Sequence, residues 1–304
     1  MDRLDSMRLF VRVAELGSFS AVAQQMNVAR SVVTRQVAAL EAHLGTKLLA
    51  RSTRRLSLTS AGATYLEKCR EILGLVDAAE AGLTEDSQAP RGHLRITLPY
   101  SFGIRQLMPM FGDFMATNPE ISIELEFSDR RTNLIEGGLD LAIRITDRLE
   151  PGDVARKLGG SRSVVVAAPD YVQRHGRPKH PRDLIRHECF GYMLAPRASW
   201  PFLVDGKTAW FPVAGRLEAN SGDALLAAAM GGLGIASLPT FIVETAVRAR
   251  QLEILLPAFR APELGIYAVF PSNRYVPHRV RALVEHLAQR IGHKPPWDEI
   301  LPNG

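Results

Sequence analysis

The sequence predicts an α/β protein in three stretches: a small helical head with a hairpin, a long linking helix, and a larger region of alternating strands and helices. Three observations carry this. Basic residues concentrate in the first 60 positions, helical periodicity fills residues 3–86, and short apolar β runs alternate with helical patterns from residue 94 onward. At 304 residues, 46% hydrophobic and 23% charged, the chain is long enough for two or three domains and apolar enough for buried cores.

Residues 3–16 read as a helix, with Phe10, Val13 and Ala14 toward the core and Gly17 as its stop. Ser20 is a candidate N-cap for a short second helix over about 21–26, and Asn27-Val28 turns the chain. A third helix runs from about Arg30 to Leu44, with Gly45 in the C′ place. Residues 46–58, which hold the run KLLARSTRRLSL, suggest a two-stranded hairpin around a basic tip. Thr59 can cap a fourth helix that continues to about Asp86. Within it Tyr65, Cys69, Ile72, Val76, Ala79 and Leu83 fall at 4-3-4-3-4 spacing. That is a heptad seam, which predicts pairing with a second copy of the chain. The alternative is an amphipathic helix lying on its own domain.

Residues 87–92 read as a hinge. Beyond it the pattern predicts strand 94–98, a helix near 103–117, strand 121–127, a helix near 131–137, strand 139–145, a β run at 163–168 and a helix at 223–230 before the Gly-rich turn 231–234. This is the rhythm of an open, mostly parallel sheet, which binds ligands at the carboxyl ends of its strands. The tail, 294–304, is expected to be loosely packed. The domain boundaries follow as 1–60, 61–88 and 89–293, then the tail.

Charge distribution bears on function. Residues 1–60 hold nine Lys/Arg against four Asp/Glu, whereas 61–90 hold two against six. A basic head is the footprint of a partner rich in phosphates, or else a solvated basic surface. On the third helix Val33, Val37, Leu40 and Leu44 share one face, and Ser31, Thr34, Arg35 and Ala38 share the opposite one, with Arg30 at its leading edge. Small polar residues let a helix approach the major groove of duplex DNA, where Arg grips guanine and Ser or Thr meets phosphate or base. The short helix and turn before it complete a helix-turn-helix, and the tip with Arg51, Arg54 and Arg55 sits beside it as a wing. Lys47 is a further phosphate candidate.

Several classes of function are set aside. The two cysteines, Cys69 and Cys189, are far apart and form no CxxC, which predicts neither disulfide nor metal site and fits a reducing cytoplasm. The run MDRLDSMRLF leads into no apolar segment, and no stretch of about 18 apolar residues occurs, so neither export nor a membrane partner is expected. No P-loop, HExxH or G-x-S-x-G is present, and the glycines at 231–234 follow a helix rather than opening one. The expectation is a protein that is not an enzyme and uses no cofactor.

The run from Met7 to Gly62 resembles the winged helix-turn-helix of the LysR-type transcriptional regulators, through FVRVAELGSFSAVAQQMNVARSVVTRQVAALEAHLGTKLLAR and TRRLSLTSAG. The resemblance continues through SFG at 101–103, GLDLAIRI at 138–145, ANSGDALLAAAMGGLGIASLP at 219–239 and AVFP at 268–271. It implies a winged domain, a dimer built on the linker helix, and a two-lobed, periplasmic-binding-protein-like effector domain. Lobe I would span about 91–161 and 267–293, and lobe II about 162–266. It further implies a homodimer or homotetramer that binds double-stranded DNA, with a small-molecule effector between the lobes. By matching position the DNA contacts fall on Arg30, Ser31, Thr34, Arg35 and Arg54, and the effector lining on Ser101, Phe102, Ser128, Arg144, Trp200, Asn220 and Pro239. Two departures bear on which DNA is bound. Ala29 stands where a Ser-like cap is usual, at a cost of about 1 kcal/mol, and Arg30 where Gln is frequent. Arg144 ends a strand where a guanidinium can hold a carboxylate, pointing to a small organic acid, unless it pairs with Asp140 or Asp147. A solute-binding protein or enzyme on the same two-lobed fold would leave the first 60 residues unexplained.

Overall fold

The computed structural model describes the chain apart from residues 1–2, 27, 52–55, 82–88, 196–197, 272–275, 293–294 and 302–304, and apart from the side chains of 51, 71, 75 and 77–81. It divides into two units, with the boundary between residues 88 and 89.

The N-terminal unit contains α1 (Arg3–Leu16), α2 (Phe19–Gln25), α3 (Arg30–Leu44), an antiparallel hairpin of β1 (Leu49–Arg51) and β2 (Leu56–Leu58), and α4 (Ser60–Ala81). The cap of α2 is Ser18 rather than Ser20: its hydroxyl accepts the Ala21 amide at 3.2 Å. The extended backbone at Ser18 suits a cap, whereas Ser20 already lies inside the helix. No side chain caps α3 at Ala29, and Gly45 ends the helix in the left-handed region at φ 66°. Phe10, Val13, Val22, Val33, Val37, Leu40 and Leu48 form the core, with Leu44 packed at its edge.

Helix α4 corrects the seam prediction over its first turns. Cys69 is completely buried in this same core, beside Leu66 and Leu73, and Tyr65 packs on it with its ring 6.0 Å from Phe10. Those two positions serve their own domain because α4 begins by crossing α1, where Arg70 bridges to Glu15 at 3.3 Å. Ile72 is exposed and Val76 half-buried, so the outward seam starts there. The side chain of Ala79 and the whole of Leu83 lie outside the described residues, as do part of the hinge at 87–92 and the last residues expected in α4.

The C-terminal unit has two lobes. The first contains β3 (Gly92–Leu98), α5 (Tyr100–Phe102) running through a π turn into α6 (Met108–Thr117), β4 (Ile121–Phe127), β5 (Leu141–Thr146) and β6 (Val154–Ser161). The second holds β7 (Ser163–Ala167), α7 (Pro169–His175), β8 (Gly191–Tyr192), β9 (Ser199–Val204), β10 (Lys207–Pro212), β11 (Glu218–Ala219), α8 (Gly222–Met230), β12 (Ala236–Pro239), α9 (Thr240–Arg248) and β13 (Glu253–Leu255). The chain then returns through β14 (Leu264–Phe270) and α10 (His278–Ile291).

A mostly parallel sheet holds only in part. In the first-lobe sheet, ordered β4-β3-β5-β14-β6, β3 is parallel to β4 and β5, but β14 is antiparallel to both neighbours. The reason is topological: β14 comes back from the second lobe and enters the sheet from the opposite end. In the second lobe β12 and β13 both run antiparallel to β7. The two crossings lie side by side, Leu264 paired with Ser161.

Two further expectations are corrected. Residues 131–137 form turns rather than a helix. Asn133 closes an Asx turn on the Ile135 amide at 3.1 Å, and Gly138 takes φ +59°, which ends any helical ladder. The tail is packed: residues Pro296–Ile300 form a 3-10 turn, and Trp297 is buried against Phe102 and Phe241 at ring distances of 5.8 and 6.3 Å. Burying one indole outweighs the low helical signal of KPPWDEI.

Candidate nucleic-acid interface and ligand site

The apolar stripe of α3 turns Val33, Val37 and Leu40 inward, each almost fully buried. Its opposite face is thereby committed to solvent: Arg30, Ser31, Arg35 and Ala38 are exposed and Thr34 is half-buried. Among the described residues Arg30 and Arg35 make no ion pair, so both guanidiniums stay available to an outside acceptor. Ser6 of α1 donates to Gln36 at 2.9 Å, fixing the rotation of α3 from behind.

Glu41 anchors the base of the wing. Its carboxylate accepts the Leu48 and Leu49 amides at 2.9 and 3.1 Å and the Lys47 ammonium at 2.7 Å. Burial raises the Glu41 carboxyl pKa, but Lys47 and the two amides outweigh it and hold it below the usual carboxylate range. Lys47 remains 75% exposed, so it reaches solvent while already paired. Thr59 joins the same corner: its hydroxyl accepts the Gly62 amide at 2.9 Å and donates to the Lys47 carbonyl at 2.7 Å. Arg51 is described by its backbone alone, in β1, and Arg54 and Arg55 lie outside the described residues.

Two of the predicted effector residues are aromatics packed among apolar side chains. Trp200 is buried in the second lobe's own core with Tyr171, Phe202 and Val213, and Phe102 packs edge-on against Phe241 at 4.9 Å. Both are packing aromatics: Trp200 is enclosed by its own lobe's core, and Phe102 packs against Phe241 of the second lobe and Trp297. Ser101 is buried, and its hydroxyl is already bonded to Asp223 at 2.6 Å. Arg105 clamps the same carboxylate at 2.9 and 2.6 Å through Nε and Nη2. The protein thus supplies an anion to Ser101 and Arg105: Asp223, in the first turn of α8, ties the second lobe to the first. Asn220, exposed, and Pro239, half-buried, end strands of the second lobe.

Ser128 and Arg144 do come together. Arg144 Nη1 donates to the Ser128 carbonyl at 3.2 Å, whereas Nη2 is buried and finds no hydrogen-bond partner among the described residues. Neither anticipated acid is on it. Asp140 accepts the Arg95 amide at 2.8 Å and faces Arg279 at 3.6 Å, and Asp147 is bonded by Thr146 at 3.4 Å. Burial, then repulsion from Arg131, lowers the Arg144 pKa against the pull of Asp129, Glu126 and Asp153. Asp129 is itself pushed up by burial although the Tyr100 amide and Arg144 oppose the shift.

Both cysteines are free thiols and buried. Burial drives the Cys69 thiol up to about 11 and that of Cys189 to about 12, keeping both protonated. Among the described residues no His, Cys, Asp and Glu are grouped to hold a metal, and no helix is long and apolar enough to cross a membrane.

Similarity to known proteins follows these two halves. Residues 4–63 match the model of the bacterial regulatory helix-turn-helix protein, lysR family, and residues 87–292 match that of the LysR substrate binding domain. An uncharacterized HTH-type transcriptional regulator of Haemophilus influenzae is 35% identical over 284 residues, covering 93% of this chain and 99% of that protein. PtxR, an HTH-type transcriptional regulator of Pseudomonas aeruginosa, is 35% identical over 301 residues, 97% of this chain and 96% of PtxR. Among solved structures, CrgA, a LysR-type transcriptional regulator from Neisseria meningitidis, is 32% identical with a TM-score of 0.62, covering 95% of this chain and 99% of that one. An OxyR mutant of Corynebacterium glutamicum is 18% identical with a TM-score of 0.70 over 94% of this chain and 91% of that one, and shares the fold.

Proposed function

Because the chain belongs to the LysR-type family of bacterial transcription regulators, with a DNA-binding head and an effector-binding domain, we propose that α3 reads its operator through Arg30, Ser31, Thr34 and Arg35. The observation that carries this reading is the division of α3 into a buried apolar stripe and an exposed face with two unpaired arginines. Arg35 and Arg30 grip base edges; Ser31 and Thr34 set the depth of the helix. Lys47 and the wing arginines Arg51, Arg54 and Arg55 track phosphates or the minor groove.

Regulators of this family act as oligomers. For this chain the reading is a homodimer or homotetramer held through α4 from Ile72 and Val76 outward. It works in the cytoplasm, catalyses no reaction and answers to a small organic acid anchored on Arg144. The buried Nη2, with no hydrogen-bond partner among the described residues, supports the acid, since a carboxylate satisfies a guanidinium edge in a way water-poor apolar groups do not. Effector binding shifts the balance between two arrangements of the assembly and so changes the geometry of the paired heads on DNA.

Footprinting of the purified chain on fragments of its source genome tests this. The expected result is paired protected half-sites about one helical turn, or a multiple of it, apart. Protection that spreads evenly over all sequences overturns the reading in favour of an architectural protein.

A further inference from the structure

We propose that the tail segment Pro296–Ile300 is a brace between the two lobes of the C-terminal unit. It leaves the first lobe at the end of α10, docks on α9 of the second, and restrains rotation at the two crossings. Any change in the angle between the lobes has to displace it.

Helix α10 is fixed to the first lobe: Arg290 pairs with Asp113 of α6, and His286 Nε2 donates to the Met110 carbonyl at 3.0 Å. Gly292 then takes φ +60° and ends the helix. Beyond it the buried Trp297 ring meets Phe102 of the first lobe at 5.8 Å and Phe241 of α9 at 6.3 Å, while those two rings meet each other at 4.9 Å. All three pairs are edge-on, the arrangement that ring quadrupoles favour. Three rings from α5, α9 and the tail thus close one cluster across the lobe boundary. The indole N–H is buried with no hydrogen-bond partner among the described residues, so ring packing rather than a polar contact seats Trp297.

The next residue ties the tail to the crossings. Asp298 accepts the Thr240 hydroxyl at 2.6 Å and faces Arg162 at 3.7 Å. Thr240 opens α9, is completely buried, and donates its amide to the Arg162 carbonyl at 2.8 Å. Arg162 lies in the first crossing, between β6 and β7, and bridges at 3.3 Å to Glu263 in the second. One guanidinium therefore joins the tail to both crossings. Neither crossing has slack: a Cβ at Gly159 would meet Ile291 at 2.7 Å and the Gly292 carbonyl at 2.9 Å, and one at Gly160 would run into the Glu263 carboxylate. Strand β6 thus reaches the hinge pressed against the end of α10, where the brace starts. The Arg248–Glu299 pair at 2.9 Å is exposed and adds little. Asp223 grips Ser101 from the other side, so adjacent residues of α5 are held by two separate interlobe contacts.

Residue-resolved hydrogen exchange of the full chain tests the brace, because local opening and loss of the whole fold leave different patterns. In Trp297→Ala, exchange rises by about tenfold or more at the Thr240 amide and at residues 101–103, while the central strands β3 and β7 keep wild-type protection. Trp297→Phe keeps a ring in the cluster and removes the unpaired N–H, so it stays within about threefold of wild type. Asp298→Ala cuts the link to Thr240 and Arg162 without emptying the ring cluster. It raises exchange at Thr240 alone, and it decides the matter if Trp297→Ala does not fold. An even rise that includes β3 and β7 in Asp298→Ala makes the tail plain core packing and overturns the brace. Unchanged protection of the Thr240 amide in either folded variant overturns it as well.

Discussion

Gly62 sits where α4 meets the wing: a Cβ built there would run into the carbonyl oxygen of Leu48. Helix α4 can meet the wing only at a residue without a side chain, so Gly62→Ala forces backbone apart. The expected loss is about 1–3 kcal/mol of stability in urea unfolding, and an unchanged midpoint would contradict it. Glu41 makes the same corner sensitive to acid. Its folded-state pKa lies below the unfolded value, so its contribution is present above about pH 4.3 and is lost as pH falls from there through the folded value. The wild-type N-terminal unit therefore loses stability on acidification through that window, and Glu41→Gln flattens the acid limb. Parallel acid titrations of the two proteins, followed by circular dichroism, decide the point. The exposed face of α3 was legible because 3.6-residue periodicity assigns it; the role of Glu41 was not, because its partners are amides seven and eight residues on, to which no periodicity points.

At the scale of elements, α4 shows where periodicity stops informing. A heptad says that a stripe is buried, not by what. The first turns bury Tyr65 and Cys69 in their own domain, and only from Ile72 does the stripe face outward. Ile72→Asp is expected to turn the oligomer into monomers while leaving the melting of the N-terminal unit within about 0.5 kcal/mol, as for an exposed position. Analytical ultracentrifugation reads the first effect; an intact oligomer in this variant removes α4 as the interface. The same reasoning explains the other differences. An Asx turn and Gly138 end the apolar stretch at 131–137 before it becomes a helix, and β14 runs antiparallel because of where it returns from, which local sequence does not encode.

Over the whole molecule, the contacts that decide the effector domain join residues far apart in sequence. Asp223 meets Ser101 and Arg105 across 122 and 118 positions, and Trp297 closes over Phe102 and Phe241. The strand and helix alternation was legible from local pattern; these closures were not, since an acid in a first turn or a lone Trp in a tail carries no address. They leave the C-terminal domain with an internal ion pair between lobes and a pocket at Arg144, while on the proposed reading the basic head presents α3 to DNA. The most direct test of that last statement is the affinity of the full chain for its selected operator and for a scrambled duplex across a salt series, with wild type and Arg35→Ala. Wild-type binding should fall linearly on logarithmic axes as salt rises, and Arg35→Ala should lower the operator-to-scrambled ratio by about 1–3 kcal/mol while keeping most of the salt slope. A wild-type chain indifferent to both duplexes at low salt, or a ratio untouched by Arg35→Ala, would contradict the account.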